Sequence, residues 1–156
     1  MSNDNTESNS LLDYVGASLS EVRGWLRFLS LALAFVKYLR TKYEKQARIG
    51  RVIREQYPEL RHEIGALSAL SKSMERRIRY GEIHQTDIRE IVEHVKNADE
   101  LSRRLGLSVK DPPFDLDKFI EFNLEKVNES EPARELGELM FRELSRQAFK
   151  LASEFD

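Results

Sequence analysis

The stretch Trp25–Arg54, WLRFLSLALAFVKYLRTKYEKQARIGRVIR, decides how the rest of the chain is read. Its first half, Trp25–Leu39, has two charged residues, Arg27 and Lys37, in an otherwise apolar run. Its second half, Arg40–Arg54, is basic. No proline interrupts the stretch. Proline removes a helical donor and clashes with the preceding turn, so its absence lets the spacing predict one long helix, or two hinged near Gly50. The apolar half is expected to be the core against which the other helices pack. The basic half is expected to face solvent or a partner.

Upstream, Leu12, Val15, Leu19, Val22, Leu26, Leu29, Leu33 and Val36 alternate by three and four, as in a helix packed lengthwise on another. A second stripe, Trp25, Phe28, Ala32, Phe35 and Leu39, runs beside it. Two stripes make a helix that is buried on several sides. Gly24 is expected to mark a break or the close approach of another backbone. Residues 1–10 are polar and read as a flexible tail, and residues 11–156 read as a single helical domain.

Downstream, Tyr57–Pro58 ends the helix, because the residue before proline avoids the helical region. Pro58 suits the first turn of the next helix. That helix has the face Leu60, Ile64, Leu67, Leu70, Met74 and Ile78 and stops at Gly81. Thr86 or Asp87 is expected to cap a third helix, with the face Ile88, Ile91, Val92, Val95, Ala98, Leu101 and Leu105 and a stop at Gly106. Pro112–Pro113 marks a loop, and Asp115 is expected to start a short helix. Ser130 with Pro132 opens the last one, whose expected face is Leu136, Leu139, Met140, Leu144, Ala148, Leu151 and Phe155. Phe141 falls off this face, and with Leu136 and Phe149 it suggests a second apolar side. The fold class is therefore all-α: an antiparallel bundle of five or six helices with a long N-terminal core helix.

Composition agrees with this class. Of 156 residues, 40% are hydrophobic and 33% charged, with 7 Gly and 4 Pro. That is too few turn residues for a sandwich or barrel. With no cysteine, disulfides and thiolate metal sites are excluded. The opening residues lack the basic start and apolar middle of a secretory signal, and we read the chain as cytoplasmic. The apolar run of 15 residues at Trp25–Leu39 is shorter than the roughly 20 needed to span a bilayer.

Charge is unevenly placed. Residues 37–54 hold seven bases and one acid, Glu44, whereas residues 111–156 hold six bases and twelve acids. Lys37 and Arg48, like Arg40 and Arg51, are eleven apart, close to three helical turns, so they line one side. A row of cations of this kind neutralises phosphates along a nucleic acid or another polyanion. Lys37, Arg40, Lys45, Arg48, Arg51 and Arg54 are the candidate binding residues, with Tyr38 and Tyr43 among them as stacking groups. The alternative is that the basic row pairs with the acidic C-terminal third inside the fold.

Catalytic patterns are few. The three histidines, His62, His84 and His94, form no metal-ligand spacing, and the glycines form no phosphate-cradling loop. No metal or cofactor is expected. Two Arg-x4-His elements occur, Arg79–His84 and Arg89–His94. The second lies in an expected helix and resembles the signature of HEPN ribonucleases, small all-helical proteins. The resemblance implies RNA cleavage by His94, with Arg89 supporting the phosphate across a dimer. Glu90 departs from the Asn, Asp or His usual after that arginine. The reading adopted is a non-catalytic helical interaction or assembly protein that self-associates and contacts nucleic acid or another polyanion through its basic helix. A HEPN-like ribonuclease and a peripheral membrane-associated helical protein are the alternatives.

Overall fold

In a computed structural model the chain is all-helical among the described residues, which are 2–50, 54–107, 116 and 123–156. Side chains are described from Val22 onward, with Arg54 described by its backbone alone. Five helices follow in order: α1 (Ser2–Arg48), α2 (Pro58–Ile78), α3 (Gln85–Arg104), α4 (Leu124–Glu129) and α5 (Glu131–Glu154). A single 3-10 turn, Arg54–Gln56, precedes α2. Asp115, read as a helix start, lies outside the described residues, and residues 2–10, read as a tail, are described by their backbone alone, within α1.

Local chemistry sets the ends. The Gly50 N–H donates to Ala47 O at 3.1 Å with φ at 71°, the left-handed turn that glycine makes without strain. Gly81 ends α2 in the same conformation at φ 67°, and a Cβ there would also stand 2.8 Å from Asn128 O. Asn128 holds this corner through both of its amide atoms. Its Nδ2 donates to Ile83 O at 2.8 Å, and its Oδ1 accepts from Ile83 N at 3.2 Å. The cap of α3 is His84, two or three residues earlier than expected. Asp87 sits inside the helix, accepts the His84 N–H at 2.8 Å, and takes Arg77 of α2 in a bidentate pair at 2.7 and 2.9 Å. Burial raises the Asp87 carboxyl, but Arg77 and the His84 N–H outweigh it and hold it below the usual range. Ser130 Oγ accepts the Ala133 N–H at 3.3 Å, with Pro132 in the first turn of α5 as expected.

Helices α2 and α3 run antiparallel, as Glu63–His94 and Arg77–Asp87 show. Arg61–Asp156, Ser68–Ser145, Glu75–Arg142 and Arg79–Glu138 show the same for α2 and α5. The two ends of the chain differ. Trp25 meets Ala133, Arg40 meets Gln147 and Tyr43 meets Glu154, so α1 and α5 run side by side in one direction. The central element is α5 and not α1. It packs along both α1 and α2, while α3 packs on α2 and α4 rests on α1 and α5.

Small residues make this arrangement possible. The buried face of α5 is Ala133, Gly137, Phe141, Leu144, Ala148, Leu151 and Phe155. The expected face was rotated from this one: Leu136 and Leu139 are 42% and 55% exposed, and Phe141 is fully buried. The cause is Trp25. Its indole lies over Gly137, edge-on to Phe141 at 5.5 Å, and its Nε1–H donates to Ala133 O at 3.2 Å. A Cβ on Gly137 would stand 2.8 Å from that Nε1 and 3.5 Å from Ile78 of α2, so one absent methyl admits contacts from two helices. Gly24, by contrast, neither breaks α1 nor meets a neighbour within 4 Å.

Gly137→Ala is therefore expected to destabilise the fold by about 1–3 kcal/mol through overpacking, although alanine is the better helix former by about 1 kcal/mol. Gly65→Ala on α2, where an added Cβ meets nothing within 4 Å, is expected to stabilise it by up to about 1 kcal/mol. Urea unfolding followed by the fluorescence of Trp25 compares the two. A Gly137→Ala protein more stable than the wild type would contradict the Trp25 notch.

Candidate polyanion-binding face

Packing fixes the rotation of α1 about its axis. Val22, Trp25, Phe28, Leu29, Ala32, Phe35, Val36, Leu39 and Tyr43 are buried. The opposite side is then Arg23, Arg27, Ser30, Ala34, Lys37, Tyr38, Thr41, Lys45 and Arg48, all exposed. At 100° per residue these nine fall within an arc of about 100°, and at 1.5 Å per residue the ridge runs for about 37 Å. It carries five cations and no acid. Among the described residues, no ion pair closes within 4.0 Å on any of the five. The Lys42 ammonium lies 5.6 Å from the Tyr38 ring, so an exposed aromatic and a further cation flank the ridge.

The structure sorts the expected binding residues. Lys37, Lys45 and Arg48 lie on the ridge. Arg40 turns to α5 instead. Its Nε stands 3.0 Å from Glu44 and 3.3 Å from Glu154, and its Nη1 donates to Gln147 at 3.2 Å. Arg51 and the side chain of Arg54 lie outside the described residues. Arg23 and Arg27, before and within the apolar half, join the ridge. The signal was present, since Arg23 and Lys37 are fourteen apart, close to four turns. Arg27 read instead as a charged interruption of the apolar run Trp25–Leu39.

Three of the acidic groups described in the C-terminal third are held by partners outside the basic row. Glu138 pairs with Arg79 and Arg142, Asp156 with Arg61, and Glu143 with Arg146. Glu143 is held below the ordinary glutamate range first by its hydrogen bond from Gln147, with Arg146 and then Lys37 adding to it. Internal pairing between the basic row and the acidic third is thus realised as ion pairs by Arg40 alone among the described residues.

The second set of candidates lies on α3. Arg89 is exposed, whereas His94 is half-buried with its Nδ1 2.7 Å from Glu63 Oε2 on α2. Five residues turn a helix by about 500°, so the two side chains leave α3 about 140° apart. His62 and Glu63 line a groove of ≈ 430 Å³ between α2 and α3 with Glu59, Asn97, Glu100 and Arg104. No group of three or more His, Asp or Glu among the described residues is placed to hold a metal ion. No helix among them is long and apolar enough to cross a membrane. No protein-family model, curated protein or solved structure matches the chain.

The difference between Arg40 and the ridge is measurable in stability. Arg40→Met is expected to cost about 1 kcal/mol, because partly exposed charge-assisted bonds to Glu44, Glu154 and Gln147 are lost. Lys45→Met is expected to leave the denaturation midpoint unchanged. Equal losses in the two variants would contradict this division.

Proposed function

We propose that the protein is a non-catalytic helical interaction protein that binds a polymeric polyanion, nucleic acid in the first place, along the solvent face of α1. The observation that carries this reading is the ridge itself, on which no ion pair closes among the described residues: Arg23, Arg27, Lys37, Lys45 and Arg48 on one side of one helix, with no acid among them. Exposed cations that serve a fold are usually matched by nearby carboxylates, as Arg61, Arg79 and Arg142 are here. A line of cations about 37 Å long is matched by phosphates repeated along a strand and is too extended for a single nucleotide. Ser30, Ala34 and Thr41 keep the floor between the cations low, so a backbone can approach the helix closely. Few apolar side chains stand on the ridge, which disfavours insertion among lipids, where a helix buries a broad apolar face.

Fluorescence anisotropy with a labelled nucleic-acid oligomer at about 50 mM and about 200 mM salt tests this. Wild-type affinity is expected to fall steeply with salt. Lys45→Glu/Arg48→Glu is expected to weaken binding at least about tenfold and to flatten the salt slope, since each phosphate contact contributes about 0.9 to it. Lys72→Glu/Lys126→Glu, on other faces, is expected to bind like the wild type. Equal binding by both variants, or no binding at low salt, would overturn the reading.

A further inference from the structure

At the end of the bundle away from Trp25, α1 and α5 are joined by carboxyl groups. Glu44 Oε1 and Glu154 Oε1 converge on the same Arg40 Nε, at 3.0 and 3.3 Å. One guanidinium balances one carboxylate, and the Arg40 Nη1 is turned to Gln147. Glu154 Oε2 is buried, and no donor reaches it among the described residues. Glu154 is also the last residue of α5, where the final carbonyls already carry partial negative charge. A second negative charge there is opposed by the helix end, by Glu44 and by burial together. A carboxyl in these surroundings keeps its proton and donates it to its neighbour.

We propose that Glu44 and Glu154 share one proton, and that the resulting carboxyl–carboxylate hydrogen bond is a latch that holds the last turn of α5 on α1. The charges around the latch come from α1, from α2 and from the residues after α5. On α1 they are Arg40 and Arg48. Beyond Glu154 on the α5 side there is Asp156, which Arg61 of α2 holds at 2.6 Å. Tyr43 Oη donates to Glu154 O at 3.1 Å and belongs to the same contact. Tyr43, Glu44, Arg48, Ser153, Glu154 and Asp156 line one cleft of ≈ 570 Å³, so water reaches the latch from one side. Burial first, then the hydrogen bond and the charge of Glu44, hold the Glu154 carboxyl above the ordinary glutamate value, with Arg40 opposing. Glu44 is held below that value, chiefly by the hydrogen bond from Glu154. The pair therefore keeps its proton to higher pH than a lone glutamate does.

The pH direction follows. Glu154 binds its proton more tightly in the folded chain than in the unfolded one, where the ordinary value is 4.5. Its contribution to stability is complete below that value and is lost as pH rises through the folded one. Without the proton, two carboxylates face each other across one guanidinium. The last turn then loosens, and with it Phe155, which stacks on Tyr57 at 5.5 Å and meets Tyr43 edge-on at 4.7 Å.

Carbon-detected NMR of the glutamate carboxyls, with thermal unfolding followed between about pH 5 and pH 8, tests the latch. Glu154 is expected to titrate above the ordinary value and Glu44 below it, and the wild-type Tm is expected to fall as pH rises through the Glu154 midpoint. Glu154→Gln, whose amide donates to Glu44 at every pH, is expected to lose at least half of that fall. Glu44→Gln, which removes the repulsion, is expected to flatten it as well. Glu154 titrating at or below the ordinary value in the wild type would overturn the proposal, whether or not the variants fold. An unchanged fall in both variants would do the same.

Discussion

The indole of Trp25 resting on Gly137 is the contact on which the rest of the structure depends. It brings α1 and α5 close, places Phe141 and Ile78 around the same ring system, and gives the buried N–H an acceptor in Ala133 O. A buried indole without that acceptor would carry the full cost of an unsatisfied donor. The contact also sets the rotation of α1. Once Trp25 points inward, Arg23, Arg27, Ser30 and Ala34 point outward, and the same register carried three turns further exposes Lys37, Lys45 and Arg48. The surface proposed to bind a polyanion is thus a consequence of the core, through the periodicity of a single uninterrupted helix.

Electrostatics divides the molecule in a way that its net charge of −2 conceals. On the α2–α5 side, opposite charges meet: Arg61 with Asp156, Glu75 with Arg142, and Arg79 with Glu138. Such partly exposed pairs each add little stability, but together they fix the antiparallel register of two helices whose close contact is made by small residues. Ser68 and Ser145 illustrate that closeness, each donating to the other's carbonyl at 3.0 Å. On the solvent side of α1 no such matching occurs among the described residues. Arg40 marks the border, since among the described residues it is the one cation of the basic row that forms ion pairs within the fold, and it is drawn in by two carboxyls at once.

Much of the fold was legible in the sequence because its punctuation is chemical. Pro58, Gly81, Gly106, and Ser130 with Pro132 have backbone requirements that act locally, and each marks a helix end as expected. The rotation of helices was harder to read, because it depends on which of two apolar stripes finds a partner. On α5 the larger side chains favoured Leu136, Leu139 and Met140, but the stripe with Ala133, Gly137 and Ala148 won because it lets neighbouring helices approach. Counting apolar bulk undervalues small residues, whose contribution is the space that they leave. The same blind spot displaced the site. Arg40 was grouped with Arg51 by a spacing of eleven, yet the side it points to was decided by Glu154, more than a hundred residues away in the chain. The His84 cap was missed because Asp87, a good capping residue in sequence, acts from inside α3 on the residue before the helix.

The most direct measurement is lysine footprinting: acetylation of the folded protein with and without bound nucleic acid, read residue by residue by mass spectrometry. Lys37 and Lys45 stand on the outer face of α1, while Lys72, Lys126 and Lys150 are equally open to solvent on α2, α4 and α5. Protection of Lys37 and Lys45, with the other three modified as in the free protein, is the expected result. Uniform protection of all five, or protection confined to Lys72, Lys126 and Lys150, would contradict the assignment of the α1 face as the binding surface.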